Sequence, residues 1–397
     1  MNRFDAELTA QLDELRAAGL HRELRRLATS AGTRIEIAGC RLLNFSSNDY
    51  LGLANDPALK AAAQRATAEF GAGSAASRLI CGSLAPHHEL EETLAAFKGV
   101  EATLAFGSGY ATALGTIPAL VGRDDVLVLD KLVHASVIDA ARLSGAKLRV
   151  FAHNDLNELE SILRWADERP PATRRPRVLI VTESVFSMDG DHAPLREMVA
   201  LKDRFGACLM VDEAHATGLY GAHRRGLAEA LGVAGRVEIQ MGTLGKAVGA
   251  AGGYIAGSRT LVDFLVNRAR SFIFSTAPVP AAAAAATAGV RFIQSRAGER
   301  RCAQLWENVR GATAALANVP ARSAILPLII GDEARAMSVS AALRDHGILV
   351  PAVRYPTVPR GTARLRLTLS AAHMADDLAQ LLATLASLNF PPRTSDL

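Results

Sequence analysis

The sequence predicts an α/β protein: a mostly parallel sheet with helices on both faces, followed by a smaller C-terminal α+β domain. Two observations support this fold. From about residue 57 to 290, short apolar runs alternate with segments of helical periodicity, as expected for buried strands joined by helices. From residue 291 onward the pattern changes to longer helices separated by two apolar strands, which is typical of an α+β arrangement.

The first fifty residues differ in pattern from the rest of the chain. Residues 5–29 show helical periodicity, and residues 42–45 lead into a turn at 47–49. We predict an N-terminal helical arm over residues 1–50. The segment is acidic and amphipathic, whereas a secretory signal is basic and then uniformly apolar, so no export signal is expected.

Four apolar runs define the strands of the large domain, which we assign to residues 51–290. They are VLVLD at 126–130, RVLIVTES at 177–184, ACLMVDEA at 207–214 and EIQMGTL at 238–244. A further apolar stretch at 277–290 contains two prolines and is shorter than the roughly 20 residues that span a bilayer. We predict a packed helix there and no membrane segment.

The C-terminal domain is assigned to residues 291–397. A long helix comes first, and the strand SAILPLIIG, a second helix, the strand LRLTLS and a final helix come after it. Helices and strands in this order predict a small α+β layer with its own sheet.

Composition and charge exclude several classes of function. The chain has 397 residues, 49% of them hydrophobic and 21% charged, as in globular proteins of two or three domains. The net charge of +4 is spread without long runs of one sign, so no nucleic-acid-binding tail is expected. The densest basic cluster, Arg22, Arg25 and Arg26, is predicted to be a solvated helix face. Four widely separated cysteines indicate neither disulfides nor a zinc site, and they favour a reducing cytoplasm.

The sequence Asp212-Glu213-Ala214-His215 comes directly after an apolar strand, which is where ligands bind in α/β proteins. Taken alone the motif is ambiguous, because DEAH is also the magnesium-binding box of helicases and a strand-end aspartate often caps the next helix. A helicase also needs a phosphate-binding loop. The near match ends at Gly245-Lys246 but has Gln240 in place of the first glycine, so the helicase interpretation fails.

Lys246 lies among small residues just after another apolar strand and precedes Gly249, Gly252 and Gly253. A lysine is usually a solvated surface charge, but this apolar and glycine-rich setting predicts partial desolvation. Desolvation lowers the pKa of an amine and leaves it able to form an imine. Asp212, about thirty residues earlier, could then keep the nitrogen of a pyridine cofactor protonated, with His215 facing the same ring.

Seven segments together resemble the α-oxoamine synthase family of fold-type I pyridoxal-phosphate enzymes. They cover roughly residues 12–385 and are NFSSNDYLGL, FGSGYATALG, LDKLVHASVIDAARLSGA, TESVFSMDGD, VDEAHATGLYG, GTLGKAVGAAGGY and PTVPRGTARLRLTLSAAH. The resemblance implies an aspartate aminotransferase-like fold, pyridoxal 5'-phosphate as cofactor and acyltransferase activity. Within the family the segments resemble most the biotin-pathway branch, which condenses L-alanine with pimeloyl-CoA or pimeloyl-ACP and releases carbon dioxide.

The resemblance also implies catalytic roles. Lys246 matches the lysine that forms a Schiff base with the cofactor, Asp212 the partner of the pyridine nitrogen, and His215 a donor to the ring oxygen. His134 matches the histidine that stacks on the cofactor face, for which the alternative is a buried structural histidine.

Further residues match contacts to the cofactor. Gly109 and Tyr110 match a turn whose backbone N–H groups meet it, Ser187 matches a hydroxyl contact and Thr243 a phosphate contact. Taken alone, the glycine is a turn residue and the two hydroxyl residues are plausible caps. Ser275-Thr276 resembles a phosphate contact supplied across a twofold interface, so the resemblance implies a homodimer with shared active sites.

The substrate-binding candidates lie in the N-terminal and C-terminal parts of the chain. Arg366 matches the arginine that binds the amino-acid carboxylate, which suits a guanidinium fork, although in isolation it reads as a strand-face charge. Arg22 and Thr357 match positions that contact the acyl substrate. Arg354 and Asn48 lie in matching segments and complete the set.

Two other classes compete with the biotin-pathway interpretation. One is another α-oxoamine synthase, such as glycine C-acetyltransferase. The other is a non-catalytic regulator on an aminotransferase-like fold, which would need a DNA-binding module. Only about fifty residues precede the cofactor domain, without a plausible helix-turn-helix pair. We therefore expect an enzyme with neither a nucleic-acid nor a membrane partner.

Overall fold

The N-terminal helix is shorter than predicted. The computed structural model describes residues 2–168, 175–316 and 319–388, and its first helix is α1 (Arg3–Ala17). Gly19 comes next but one, with a φ of 64°, a left-handed conformation that turns the chain away from the helix axis. The predicted helix over 5–29 is therefore wrong in its second half. The cluster Arg22, Arg25 and Arg26 lies outside the helix, so the helix-face interpretation is wrong as well.

A hairpin occupies the place where the helical arm was expected to continue. β1 (Arg34–Ile37) and β2 (Cys40–Asn44) pair antiparallel and are joined by a two-residue turn. Both turn residues, Ala38 and Gly39, have positive φ, at 50° and 79°. This backbone conformation matches the twist of the paired strands.

The centre of the molecule is a seven-stranded sheet. In chain order its strands are β3 (Ala102–Phe106), β4 (Val126–Asp130), β5 (Lys147–Phe151), β6 (Val178–Glu183), β7 (Cys208–Asp212), β8 (Ile239–Thr243) and β9 (Gly253–Gly257). The spatial order is β3-β9-β8-β7-β6-β4-β5, and within the described residues only β9 runs antiparallel to its neighbours. The mostly parallel sheet is confirmed, and the four predicted strands are β4, β6, β7 and β8.

Helices cover both faces of this sheet, as predicted. In chain order they are α2 (Pro57–Phe70), α3 (Ala85–Lys98), α4 (Gly109–Leu120), α5 (Ala135–Ser144), α6 (Leu156–Asp167), α7 (Leu195–Phe205), α8 (Leu227–Ala230), α9 (Arg259–Arg268), α10 (Arg270–Ile273) and α11 (Pro280–Gln294). Successive strand side chains point to opposite faces. Val126 and Val128 of β4 therefore share a core cluster with α3, α6, α7 and α11, whereas Leu127 and Leu129 share one with α4, α5 and α9.

The rest of the chain forms the predicted smaller α+β part. It contains α12 (Arg296–Ala315), β10 (Ile325–Gly331), α13 (Glu333–Asp345), β11 (Ile348–Leu349), β12 (Ala352–Val353), β13 (Ala363–Thr368) and α14 (Ala375–Ser387). β10, β13 and β12 form an antiparallel sheet, while β11 pairs in parallel with β2 of the N-terminal hairpin. Among the helices described, none is long and apolar enough to cross a membrane.

The sheet topology places the candidate residues at one edge. β3, β4, β6, β7 and β8 run in the same direction, so their carboxyl ends share an edge, where α/β proteins bind ligands. The segments after these five strands carry, in order, Gly109, His134, Ser187, His215 and Lys246.

Candidate active site

Acidic residues end two neighbouring strands of the central sheet. Glu183, at the end of β6, is paired with Asp212, at the end of β7, and both are buried. Asp212 Oδ1 accepts a hydrogen bond from the Ala214 N–H at 2.9 Å and caps a turn. Because the next helix begins only at Leu227, the alternative that Asp212 caps a helix is wrong.

Lys246 begins a continuous chain of contacts through the site. Its Nζ lies 2.7 Å from His215 Nε2, and His215 Nδ1 lies 2.6 Å from Tyr50 Oη. Tyr50 Oη donates to Asn48 Oδ1 at 3.2 Å. Asn48 Oδ1 also accepts a hydrogen bond from Arg366 Nη2 at 3.1 Å. One tautomer satisfies every link, in which Nε2 accepts from the amine and Nδ1–H donates to the tyrosine. The chain joins the predicted Schiff-base lysine to the predicted carboxylate-binding arginine.

Arg366 is buried, although its position on a strand suggested an exposed charge. It lies on β13 with 7% of its surface exposed, and its Nε donates to the backbone oxygen of Ser187 at 2.6 Å. Contacts to Ser187 and Asn48 fix two nitrogens and thereby orient the guanidinium plane. The strand-face interpretation is therefore wrong.

Burial dominates the electrostatics of the site. The pKa of Lys246 falls from 10.5 to about 8, because burial penalises the charged amine more than Asp212 and Glu183 stabilise it. Burial also raises the pKa of Asp212, against the attraction of Lys246. It lowers the pKa of His215 well below its ordinary value. His215 is therefore neutral, as the hydrogen-bond chain requires.

We expect the pH dependence of cofactor uptake to report the low pKa of Lys246. Only the neutral amine attacks an aldehyde, so uptake of pyridoxal phosphate by the cofactor-free protein should accelerate with pH and level off above about 8. Stopped-flow absorption measures this rate. The control is Nα-acetyl-lysine, whose rate keeps rising toward the ordinary lysine pKa of ~10.4. A protein midpoint as high as that of the control would contradict a desolvated amine.

Glu183 was not among the predicted site residues. Its carboxyl group is buried, and Oε1 is without a hydrogen-bond partner in the described part of the chain. Burial, and next the charge of Asp212, raise its pKa to about 8, while backbone N–H groups of His134 and Ser187 oppose this rise. The signal that could have found it is its place at the end of an apolar strand, the same feature that drew attention to Asp212.

His134 lies directly before α5. Its Nδ1 accepts from the Ser136 N–H at 3.2 Å, so the imidazole caps the helix. The residue is exposed, and the alternative of a buried structural histidine is therefore wrong. Partial desolvation lowers its pKa, and the charge of Asp212 acts against this shift. Stacking on a cofactor is the role that we propose for His134.

The start of α4 lies next to the end of β8. Ser108 caps α4 by accepting from the Ala111 N–H at 3.1 Å, and Gly109 is the first helical residue. A Cβ on Gly109 would be 3.6 Å from Thr243 Cβ, so the turn and the threonine are neighbours. Tyr110 is 44% exposed and donates to the Asp139 carboxylate. A helix start beside a hydroxyl group suits a phosphate.

A close approach of backbones holds this helix start against the sheet. A Cβ on Gly253 of β9 would lie 2.7 Å from Gly109 N and 2.5 Å from Thr112 Oγ1. We expect Gly253→Ala to lower the free energy of unfolding by about 1–3 kcal/mol and to weaken cofactor binding, as measured by thermal melting and cofactor titration. Gly311→Ala is the control, because a Cβ there meets nothing within 4 Å and alanine favours its helix. Equal cofactor affinity of both variants would contradict this prediction.

Thr243 has turn contacts of its own. Its Oγ1 donates to the Gly252 oxygen at 3.1 Å and accepts from the Gly245 N–H at 3.2 Å. The capping alternative is thus present in the structure, and a phosphate contact is compatible with it because a hydroxyl oxygen accepts more than one hydrogen bond.

We call Lys246, Asp212, His215, Tyr50, Asn48 and Arg366 the buried cluster. Among the predicted residues outside it are Arg22, Arg354, Thr357 and Thr276. Arg22 is exposed in the segment after α1, and Arg354 Nη2 donates to a backbone oxygen of that segment. Thr357 is exposed, and its N–H donates to the Arg354 oxygen at 3.0 Å. Arg354 and Thr357 are therefore neighbours, and Arg354 contacts the segment that carries Arg22. Thr276 is exposed elsewhere in the chain, paired with Ser77 in an isolated bridge.

The donor set of the buried cluster fits pyridoxal phosphate. An amine with a lowered pKa, a carboxyl group and an imidazole meet where β7 and β8 end, and a helix start with a hydroxyl group lies beside them. Glu183 Oε1 adds a buried acceptor with no partner of its own among the described residues. That part of the chain contains no cluster of His, Cys, Asp or Glu suited to a metal ion. We propose that the residues that would hold the cofactor are Gly109, Tyr110, His134, Ser187, Asp212, His215, Thr243 and Lys246, with Thr276 supplied across a dimer interface.

Comparisons with known proteins agree with this arrangement. The model of the family aminotransferase class I and II matches residues 41–385. The chain is 49% identical to the 8-amino-7-oxononanoate synthase of Anaeromyxobacter dehalogenans, over 96% of each protein. It is 53% identical to the enzyme of that name from another Anaeromyxobacter strain, over 91% of this chain and 90% of that one.

A solved structure shares the fold. The chain matches serine palmitoyltransferase from S. paucimobilis, which has PLP and myriocin bound, with a TM-score of 0.88 and 29% identity, over 98% of this chain and 100% of that one. The predicted fold-type I architecture is thereby confirmed. The chain belongs to the aminotransferase class I and II family and, within it, to the 8-amino-7-oxononanoate synthases.

Proposed function

We infer that this protein uses pyridoxal 5'-phosphate to condense L-alanine with a pimeloyl thioester, giving 8-amino-7-oxononanoate, carbon dioxide and a free thiol. The product is the one for which its relatives are named. One observation carries the proposal, the hydrogen-bond chain from Lys246 to Arg366. It puts a reactive amine and a buried guanidinium in one site, and these are the groups that an amino-acid substrate needs.

Asp212, Lys246 and His215 have different roles in the proposed reaction. When bound, pyridoxal phosphate supplies an aromatic electron sink for the charge that develops at the α-carbon. Asp212 keeps a proton on the ring nitrogen, in surroundings where water competes little. Lys246 takes the α-proton of alanine onto Nζ, and a pKa of about 8 suits it to accept and return a proton near neutral pH. His215, 2.7 Å away, positions that nitrogen.

We propose that residues around Lys246 and Asp212 bind the two substrates. Arg366 binds the carboxylate of alanine, the group that leaves as carbon dioxide after acyl transfer. Because Ser187 and Asn48 already fix two of its nitrogens, little side-chain freedom is lost on binding. Arg22, Arg354 and Thr357 are proposed to contact the acyl substrate, carried on CoA or on an acyl carrier protein.

We also propose a homodimer with shared active sites. Thr276 is paired with Ser77, and near them in the chain Ile80 and Phe274 are 80% and 71% exposed. Exposed apolar side chains of this size are typical of interaction surfaces. Sedimentation of the purified protein as a monomer would contradict the shared site.

The domain boundaries and the location complete the proposal. The boundaries at residues 50 and 290 rest on the change of pattern in the sequence, although α11 continues to Gln294. β2 of the N-terminal hairpin pairs with β11 of the C-terminal part. The cytoplasm is proposed because all four cysteines are free, as in a reducing compartment.

A growth test distinguishes the candidate functions. We expect the gene to restore growth without biotin in a strain that lacks the synthase, and the Lys246→Ala variant to fail as a control. Rescue confined to a strain defective in threonine breakdown would favour glycine C-acetyltransferase. Turnover of L-alanine and pimeloyl-CoA by the purified protein would exclude a non-catalytic regulator.

A further inference from the structure

Residues 184–194 form the loop between β6 and α7. This β6–α7 loop accepts hydrogen bonds from both arginines of β13, Arg364 and Arg366. The backbone oxygen of Ser187 accepts from Arg366 Nε at 2.6 Å, and the Asp189 carboxylate accepts from Arg364 Nη1. Gly190 approaches β10 so closely that a Cβ there would lie 2.4 Å from the Ile325 oxygen. The β6–α7 loop therefore fixes one of the two nitrogens by which the Arg366 guanidinium is held, and Asn48 fixes the other.

The loop is closed by its own backbone. The Phe186 N–H donates to the Asp191 oxygen at 3.0 Å, the Gly190 N–H to the Phe186 oxygen at 2.9 Å, and the Ala193 N–H to the Ser184 oxygen at 3.1 Å. These three bonds make the loop a compact unit. What anchors it to the central sheet therefore fixes its place.

Two residues anchor the loop to the central sheet. Ser184, at its start, donates from its N–H to the Asp212 oxygen at 2.9 Å. The second anchor, farther along the loop, is His153, which lies just after β5. Its Nε2 lies 2.7 Å from Asp191 Oδ2, and its ring packs edge-on against Phe186 with centroids 4.3 Å apart. Its Nδ1 lies 3.0 Å from Oδ1 of Asp130, the buried last residue of β4. Asn154 adds to this contact by donating to Asp130 and Asp191. One imidazole thus bridges the sheet and the loop.

The charges around His153 strengthen this bridge. Burial alone lowers its pKa, but the hydrogen bonds to Asp130 and Asp191 outweigh burial and raise it to about 10. The imidazole is therefore a cation near neutral pH, and both of its nitrogens donate to carboxylates. Such charge-assisted bonds are roughly twice as strong as neutral ones.

We propose that His153 is a positioning residue: by bridging Asp130 and Asp191 it fixes the β6–α7 loop, and through Ser187 it sets the affinity of Arg366 for the amino-acid carboxylate. The inference rests on the proposed role of Arg366 in binding alanine. His153 itself acts through the loop and is not among the residues placed against the cofactor.

The test compares His153→Asn and Asp191→Asn with His223→Asn in the holoenzyme. His223 is the matched control because its Nδ1 also pairs with a carboxylate, that of Glu229, at 2.6 Å. We expect each of the two loop variants to raise KM for alanine about tenfold. The free energy that corresponds to this change is smaller than that of one charge-assisted hydrogen bond. KM for the acyl thioester should change by less than about twofold, since the residues proposed to contact the acyl substrate lie outside this loop. The double variant should equal His153→Asn, because that change already removes the contact between His153 and Asp191.

Hydrogen exchange gives a readout that is independent of turnover. Faster exchange of the Phe186, Gly190 and Ala193 amides in the two loop variants, and not in the His223 control, supports the bridge. Unchanged exchange overturns the proposal, as does additivity in the double variant or an equal rise of KM for both substrates. If the wild-type protein does not turn over alanine, the proposed function fails, while the exchange data still decide whether His153 holds the loop.

Discussion

Lys246→Ala is expected to lower kcat by about 10⁴-fold or more, because the variant loses both the covalent anchor of the cofactor and the proton acceptor. Because the Lys246 amine is buried, a surface lysine does not replace it, and burial lowers its pKa to about 8. Steady-state assays with L-alanine and the thioester measure kcat. The visible absorption of the bound cofactor is expected to disappear from the purified variant.

Lys60→Ala is the control for this change. Lys60 is an exposed lysine whose Nζ contacts Asn55 on the surface, so its loss should leave kcat and the absorption band unaltered. A Lys246→Ala variant that remained yellow and active would contradict both the assignment of the lysine and the proposed function.

Asp212→Asn is expected to lower kcat by about 10²–10³-fold, the cost of removing one preorganised charge from a buried site. The amide keeps the size of the side chain but no longer favours a protonated ring nitrogen. A second effect concerns Lys246. Asp212 raises the pKa of that amine, so the midpoint of the cofactor-uptake profile should move below about 8 in the variant. Rapid mixing with pyridoxal phosphate at several pH values measures it.

Asp203→Asn serves as the comparison for Asp212→Asn. Asp203 is a surface carboxylate that pairs with Lys202 and Arg236, and its loss should change neither kcat nor the uptake midpoint. A midpoint that moved upward in Asp212→Asn would show that the carboxylate does not stabilise the charged amine, and the assignment of Asp212 would be lost.

Local pattern was enough to find four strands of the central sheet that are apolar along their length. The runs at β4, β6, β7 and β8 are continuous and apolar because both faces of each strand are buried, and the chemistry at their ends results from the sheet topology. β9 escaped prediction since its sequence, GYIAG, is bounded by glycines that locally favour turns. Those glycines are there for packing, as the contact of Gly253 with the start of α4 demonstrates.

The helix predicted over residues 5–29 failed for a related reason. Periodicity of apolar residues continues past Ala17, but a single left-handed glycine ends the helix, and periodicity does not register a change of backbone conformation. The β1–β2 hairpin gains its burial from the C-terminal part of the chain, through the pairing of β2 with β11.

The sheet topology made β7 and β8 neighbours. Residue order alone placed Asp212 and Lys246 at or just after the ends of two buried strands, because a strand and the residues after it are covalently linked and cannot separate. It carried no information about Tyr50, Asn48 and Arg366 meeting, since Asn48 and Arg366 are 318 positions apart. The same holds for His153 between Asp130 and Asp191. Such contacts form only when helices and sheet pack into one core, and their distances and pKa shifts arise from that packing and from the loss of water that accompanies it.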